Sequence, residues 1–381
     1  MSTQPRTHHR SLRILFCTSN YYPAPTGGAE RQARLQAEEL VRRGHSVTVV
    51  CPKAPGTSSM NVGDVPVNRL WAVQLPKLRT ISYLLRLAWY LALRIWRYDI
   101  VHVHIAALNG DVAALATRIA RRPLYIKVAC GGERGEVARF RRVARFTHWF
   151  GLRNATVQVL SDEIEREMLS IGVAPGRIVR IPNGIDLAAF TPATDEARRR
   201  LRDELDIPPD AVIVLFTGRF AVYKGVLDLL EAWALADRED SLLLMIGTSI
   251  TDDWAGELPK RSSVEVRGWT NRVTDYLRAA DIFVVPSHAD GMSNSMLEAM
   301  ACGLPVIATR VASAGTLIEH GQTGLLVEPK RPDQLARAIE ALTTDKQLRS
   351  SLGANAANRV RDLAIERVVD DIERVYEQIV V

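Results

Sequence analysis

The sequence predicts an α/β protein made of two doubly wound parallel sheets. Short apolar runs alternate with helical patterns along the whole chain, which is typical of βαβ units. A length of 381 residues exceeds one typical hydrophobic core, so two domains are expected. The segment Pro182-Asn-Gly-Ile-Asp186 carries the turn signals of a linker near the middle of the chain.

Each half supplies the strands of one sheet. In the first half the predicted strands are Arg13 to Ser19, Ser46 to Pro52, Val65 to Trp71, Asp99 to Ile105, Pro123 to Ala129, Ala155 to Ser161 and Arg177 to Pro182. In the second half they are Val212 to Gly218, Ser241 to Gly247, Val264 to Gly268, Ile282 to Ser287, Pro305 to Thr309 and Gly324 to Glu328. The predicted domains are therefore 1–186 and 187–362. Residues 363–381 form a last helix that we expect to pack back on the first domain.

The composition is that of an ordinary globular protein. A hydrophobic content of 47% and a charged content of 24% argue against disorder and against a membrane-embedded class. The net charge of +6 fits an anionic ligand or surface. Four scattered cysteines have no zinc spacing, and we expect reduced thiols in a cytoplasmic protein.

Two loops have the composition of phosphate sites. The first strand leads through Gly27 and Gly28 into a helix, and glycine lets the backbone approach a phosphate. A plain turn is the alternative, and the absence of Gly-x-Gly-x-x-Gly disfavours a dinucleotide site. In the second half, Arg219 and Lys224 lie on one loop after a strand, where they can bind a diphosphate. The alternative is a solvated basic loop.

The segment from Asp290 to Val306 places two carboxylates around a glycine turn and a helix start. Asp290 follows a strand, and Glu298 falls about one turn into a helix capped by Ser293 or Asn294. The N–H groups of 292–295 then point toward an anion. An ordinary βα unit with a capped helix is the alternative interpretation.

Together these motifs resemble family 4 of the glycosyltransferases over nearly the whole chain. The motifs, in order, are Gly27-Gly28-Ala-Glu-Arg31, Asp99-Ile-Val-His102-Val-His104, Pro182-Asn-Gly-Ile-Asp186, Gly218-Arg219 with Lys224-Gly225, and the block from Asp290 to Val306. The resemblance implies a GT-B fold, with an N-terminal acceptor-binding domain and a C-terminal domain that holds a nucleotide sugar. It also implies transfer with retention of anomeric configuration.

The resemblance also implies roles for particular residues. Arg219 and Lys224 would bind the diphosphate, Glu298 the ribose, and Asp290 the hydroxyls of the donor sugar. The glycines at 27 and 28 would approach the phosphates. Further donor contacts would come from the backbone of Gly291, Met292, Ser293 and Asn294. The catalytic set is then Arg219, Lys224 and Asp290.

The chain departs from the family pattern at two positions. Asp290 stands where the family usually has glutamate, so the reach to the sugar is one methylene shorter. Cys130 stands where many relatives have a histidine before glycine, so a frequent contact to the donor sugar is missing. Both differences concern the identity of the donor.

A metal site is not expected. His102 and His104 point to one face of a strand, but no third ligand has convincing spacing, and a structural or acceptor-side role is preferred. The chain also lacks the Asp-x-Asp of the other main glycosyltransferase fold. We therefore expect no cofactor and no required metal, with a UDP- or GDP-linked sugar as donor substrate.

Two amphipathic segments are relevant to the identity of the acceptor. In 81–96, Ser82, Arg86, Tyr90 and Arg94 form one helical stripe, and the segment is too short and too charged to span a membrane. The segment 134–146 is basic and amphipathic. Either these are solvated helices with their apolar sides in the core, or they form a peripheral membrane surface at the inner face, which would suit a lipid-linked acceptor.

The sequence thus predicts a retaining, metal-independent hexosyltransferase that acts on a hydroxyl acceptor, lipid-linked or part of a cell-envelope polysaccharide. No nucleic-acid partner is expected. Two alternatives stay open: a sugar phosphorylase or nucleotide-sugar epimerase of the same fold, and a non-catalytic protein that binds sugar nucleotides.

Overall fold

A computed structural model describes residues 10–22, 27–54, 57, 61–106, 108–131, 135, 138, 147–248, 263–311 and 313–380. These residues form two compact units. The first contains the chain up to Gly184 and resumes at Ile365, and the second runs from Ile185 to Ala364. The chain therefore returns to the first unit after completing the second.

The first unit is built on a sheet with the strand order β3-β4-β2-β1-β5-β6-β7-β8. All neighbouring strands are parallel except the short β3–β4 hairpin at one edge. The strands are β1 Arg13–Cys17, β2 Ser46–Pro52, β3 Asn61–Val62, β4 Val65–Leu70, β5 Ile100–His104, β6 Leu124–Val128, β7 Thr156–Val159 and β8 Ile178–Arg180. The helices are α1 Gly28–Arg42, α2 Pro76–Arg94, α3 Leu108–Ala120, α4 Thr147–Asn154 and α5 Asp162–Ser170.

The second unit has a six-stranded parallel sheet in the order β11-β10-β9-β12-β13-β14. Its strands are β9 Val212–Thr217, β10 Ser241–Ile246, β11 Val264–Arg267, β12 Ile282–Val285, β13 Val306–Thr309 and β14 Leu325–Val327. Its helices are α6 Asp195–Glu204, α7 Val226–Ala236, α8 Val273–Ala279, α9 Asn294–Ala301, α10 Ala314–Leu317, α11 Pro332–Thr344 and α12 Lys346–Arg359. Counted within the unit, the strand order is 3-2-1-4-5-6, the doubly wound order of dinucleotide-binding folds.

The last helix, α13 Ile365–Ile379, belongs to the first unit. Val368, Ile372 and Tyr376 lie in the same buried cluster as strands β1 and β2 and helix α1. The buried Glu373 carboxylate accepts a hydrogen bond from Arg43 and lies 2.7 Å from His45 Nε2. Both apolar burial and a buried ion pair therefore hold this helix in place.

The two doubly wound sheets confirm the predicted fold class. Each predicted strand is present, with ends that differ by at most two residues. The hairpin strand Asn61–Val62 was not predicted, because two residues are too few to show an alternating pattern.

The predicted polar stripe on α2 is only partly exposed to solvent, since Arg86 and Arg94 are exposed but Tyr90 is buried. Tyr90 is only 8% exposed, and its hydroxyl lies 2.9 Å from the hydroxyl of Tyr98. Apolar side chains such as Leu85 and Trp89 are exposed as well. Both sides of this helix are apolar, so hydrophobic periodicity alone could not tell which side packs on the sheet. No helix in the described ranges is long and apolar enough to cross a membrane.

Candidate functional site

The sequence-predicted cations and one of the carboxylates meet at the carboxyl edge of the second sheet. β9 and β12 are adjacent parallel strands, and the chain leaves them for opposite sides of the sheet. The loop from Gly218 to Gly225 follows β9, and the loop that contains Asp290 follows β12. Open α/β sheets bind their ligands in the crevice outside such a switch point.

Glycine is required where these two loops touch. Gly225 has a φ of +67°, and a Cβ on it would lie 1.8 Å from the carbonyl oxygen of Pro286. A side chain at this position would therefore collide with backbone at the end of β12 as well as strain its own backbone. This close approach brings the preceding 3₁₀ turn, Val222–Lys224, next to the β12 loop.

Lys224 and Asp290 form an ion pair in that space. The distance from Lys224 Nζ to Asp290 Oδ2 is 2.6 Å, and about a fifth of each side chain is exposed (20% and 21%). The other carboxylate oxygen of Asp290 accepts the N–H of Gly291 at 3.0 Å. The carboxylate is thus fixed between a cation and a backbone donor.

Arg219 adds a second cation. Its guanidinium carbon lies 5.9 Å from the centre of the Tyr223 ring, and Lys224 Nζ lies 5.7 Å from the same centre. Arg219 itself is exposed. The loops after β9 and β12 thus bring together two cations and the carboxylate of Asp290. Because this leaves an excess of positive charge, the arrangement favours an anionic ligand.

The β12 loop ends in a capped helix. Ser293 is the N-cap of α9, and its hydroxyl accepts the N–H of Met296 at 3.4 Å. Ser313 fixes the loop from the other side by donating to the carbonyl of Gly291 at 3.0 Å. Met292 is buried, and Asn294 is the first helical residue. The predicted cap is therefore Ser293.

Glu298 occupies a different environment from Asp290. It lies on the buried side of α9 and is only 3% exposed. Burial raises the pKa of the nearby Cys302 thiol to about 12, and the negative charge of Glu298 adds to this effect. The first carboxylate is thus a half-buried loop residue, and the second is a helix residue enclosed by the unit.

Gly27 and Gly28 lie at the start of α1 in the first unit. Gly27 is the N-cap, and its N–H donates to the Glu30 carboxylate at 3.0 Å, which is the glutamate half of a capping box. One turn further, the Gln32 side chain donates to the carbonyl of Gly184 at 2.7 Å and accepts its N–H at 3.0 Å. The first turns of α1 are therefore tied to Gly184, where the chain leaves the first unit.

His102 and His104 lie in the core of the first unit. Their rings stack at 4.0 Å, and Nδ1 of His102 lies 2.6 Å from the Tyr376 hydroxyl. Burial lowers the pKa of both imidazoles well below the usual value, and the charge of Lys127 acts in the same direction. Among the described residues no cluster of His, Cys, Asp and Glu could hold a metal ion.

The structure shows a His–Asp contact beside the site that the sequence did not predict. His288 Nε2 lies 2.7 Å from Asp228 Oδ2, and the backbone N–H of His288 donates to the carbonyl of Tyr223 at 2.8 Å. This pair joins the β12 loop to the helix that follows the cationic loop. His288 stands two residues before Asp290, but its partner lies 60 residues away, and no local pattern signals it.

Eight of the ten predicted site residues lie in the second unit, and two, Gly27 and Gly28, lie in the first. The eight are Arg219, Lys224, Asp290, Gly291, Met292, Ser293, Asn294 and Glu298. The amphipathic segment 134–146 lies outside the described residues except for 135 and 138.

Two family models match the chain. The first is described as a glycosyl transferase 4-like domain and matches residues 27–184. The second is described as glycosyl transferases group 1 and matches residues 211–345. The two matches fall on the first and second units in turn.

Individual relatives agree with these models. The D-inositol 3-phosphate glycosyltransferase of Xylanimonas cellulosilytica is 30% identical over 285 residues, which cover 69% of this chain and 68% of the relative. The enzyme of the same name from Pseudarthrobacter chlorophenolicus is 33% identical over 221 residues, 53% of this chain. That alignment covers 50% of the relative, so the chain matches about half of its length.

A solved structure shows the same fold. HepE from Anabaena, in complex with UDP-glucose, matches with a TM-score of 0.81 at 21% identity. The match covers 96% of this chain and all of HepE (100%).

Proposed function

The chain belongs to the group 1 glycosyltransferases and has their GT-B fold, and from this premise we propose a retaining transfer of a hexose-type sugar. The donor is a nucleoside diphosphate sugar, UDP- or GDP-linked, and the acceptor is a hydroxyl group. The observation that carries the proposal is the Lys224–Asp290 pair beside Arg219 at the switch point of the second sheet. An anionic phosphate and a polar sugar need such a combination of cations and carboxylate.

The proposed roles follow the charges. Arg219 and Lys224 hold the diphosphate, the former bidentately and the latter as a compact charge. Asp290 accepts hydrogen bonds from hydroxyls of the sugar, and Glu298 accepts from the ribose. The backbone of residues 291–294 adds donors near the helix start. In the first unit, Gly27 and Gly28 allow close approach of backbone to phosphate.

Transfer proceeds by attack of the acceptor on the same face of the sugar that the phosphate leaves. The bond from the anomeric carbon to the phosphate oxygen breaks, and a bond to the acceptor oxygen forms. The acceptor proton passes to the leaving phosphate oxygen. Arg219 and Lys224 stabilise the charge that develops on the diphosphate, so no metal ion is required.

Donor binding is tested by thermal shift with a set of nucleotide sugars, beginning with UDP-glucose, the ligand of the HepE structure. A true donor stabilises only the folded protein, and the shift rises with concentration above Kd. The Lys224→Ala variant should lose most turnover with little change in acceptor binding. Lys346→Ala, which removes an exposed lysine of α12, is the matched control.

The acceptor is proposed to be lipid-linked or part of a cell-envelope polysaccharide. A panel of such acceptors, with D-inositol 3-phosphate included because two relatives are named for it, identifies the class. Donor consumption only in the presence of an acceptor supports transfer. Consumption without acceptor, or tight donor binding without any reaction, would contradict the proposal.

A further inference from the structure

Helix α2 exposes an apolar stripe along its outer side. The exposed fractions are 57% for Ile81, 68% for Leu85, 69% for Trp89, 59% for Leu93 and 54% for Trp96 just beyond the helix end. Spacings of three and four residues place these side chains on one side of the helix. We refer to these five residues as the α2 face.

The fold does not require the α2 face to be apolar. The opposite side of the helix supplies Leu87, Leu91 and Ile95 to the interior, each at most 2% exposed. Packing on the sheet is therefore complete without the outer residues. Contiguous exposed apolar surface of this kind marks an interaction site.

The charged residues of the chain segment that contains α2 have one sign. The segment from 65 to 98 contains six cations and no carboxylate; the cations are Arg69, Lys77, Arg79, Arg86, Arg94 and Arg97. The guanidinium of Arg86 lies 4.9 Å from the ring centre of Trp71, which is itself 48% exposed. Cations and tryptophans beside an apolar stripe are the composition of helices that lie in a lipid headgroup layer.

A basic groove continues this surface beyond the end of α2. It is lined by four arginines, namely Arg118, Arg121, Arg122 and Arg177. Arg122 also donates to the carbonyl of Trp96 at 3.3 Å, which ties the groove to the end of the α2 face. Positive charge is thus adjacent to the apolar stripe on the same unit, as binding to anionic headgroups requires.

We propose that the α2 face docks on an anionic lipid bilayer, with α2 lying in the plane of the interface. A second copy of this chain fits less well, because a symmetric pair of α2 faces would bring cations against cations with no carboxylate between 65 and 98 to pair with them. Docking does not depend on the transfer reaction, but it would place the first unit beside a lipid-linked acceptor.

The test is co-sedimentation of the full chain with sucrose-loaded vesicles of phosphatidylglycerol and phosphatidylcholine. Wild-type protein should bind the mixed vesicles at 0.1 M salt on the order of tenfold more tightly than pure phosphatidylcholine vesicles, and less tightly at 0.5 M salt. The variant Leu85→Ser, Trp89→Ser, Leu93→Ser should lose at least about tenfold in binding. The control Leu235→Ser changes a leucine that is 58% exposed in the second unit and should bind as wild type does.

The double variant Arg86→Gln, Arg94→Gln measures the electrostatic contribution to vesicle binding. It should weaken binding to the mixed vesicles about tenfold and reduce the dependence of binding on salt concentration. Because the triple variant alters exposed residues only, its thermal shift with a nucleotide sugar should equal that of wild type. Equal vesicle binding by the triple variant and wild type would overturn the proposal. So would a dimer in light scattering that the triple variant abolishes while neither protein binds vesicles.

Discussion

The Lys224–Asp290 pair makes a prediction that separates diphosphate binding from sugar recognition. In the structure the ammonium of Lys224 is already neutralised by a carboxylate 2.6 Å away. A diphosphate that binds Lys224 must compete with Asp290. Asp290→Asn keeps the shape of the side chain but removes its charge, so the variant should bind UDP more tightly and transfer sugar more slowly.

The size of the effect follows from the geometry of the pair. At 2.6 Å and an effective dielectric constant of about 20, the Coulomb attraction is about 6 kcal/mol. Desolvation and side-chain ordering cancel most of it, and fully exposed pairs retain only about 0.2 to 1 kcal/mol. With about a fifth of each side chain exposed, a net value of about 1 to 2 kcal/mol is reasonable. UDP should then bind roughly 5- to 30-fold more tightly.

Isothermal titration calorimetry of UDP with wild type and variant measures this difference. Glu328→Gln is the matched control, since Glu328 is an exposed carboxylate of the same unit whose Oε1 lies 3.3 Å from Arg310 Nε. The control should leave the affinity for UDP unchanged. Equal or weaker UDP binding by Asp290→Asn would refute the view that Asp290 competes with the diphosphate for Lys224.

Two further predictions concern stability. Glu373→Gln should lower the free energy of unfolding by about 3 kcal/mol in urea titrations, because it breaks the buried ion pair of Glu373 with Arg43. Burial alone would raise the pKa of Glu373, but hydrogen bonds from His45 and a neighbouring arginine outweigh it and lower the pKa below 4.5. The stabilisation is therefore complete above about pH 4.5 and lost as the pH falls through the lower native pKa, so wild type and variant should converge in acid. Gly225→Ala should destabilise the second unit and abolish donor binding, because its Cβ would lie 1.8 Å from the carbonyl oxygen of Pro286. The control Gly176→Ala has open space around it and should give the circular dichroism spectrum of the wild type. Normal donor binding by Gly225→Ala would contradict the steric argument.

Much of the fold could be predicted from the sequence. Parallel strands that are buried on both sides appear as short apolar runs, and β9, β10 and β12 are therefore recognisable without any knowledge of their neighbours. The cap at Ser293 follows from the preference of helix starts for hydroxyl side chains. The cations at Arg219 and Lys224 could be placed near a carboxyl edge because a strand ends just before them.

The side of α2 that faces solvent could not be predicted in the same way. The helix is apolar on both sides, so its hydrophobic pattern fits two orientations about equally. Contacts of Leu87 and Leu91 in the interior select one of them and leave Leu85 and Trp89 exposed. The sequence raised a membrane surface at 81–96 as one of two alternatives, and the exposed side chains of α2 show which residues would form it.

The sequence by itself determined the alternation of strands and helices, the helix caps, and the residue types available to bind an anion, because these depend on neighbours along the chain. Only the tertiary structure decided that Lys224 pairs with Asp290 across 66 positions, and that the Glu373 carboxylate lies between Arg43 and His45. The physical reason is that such pairs depend on strand order and loop contact in space, and residue spacing along the chain does not encode either directly.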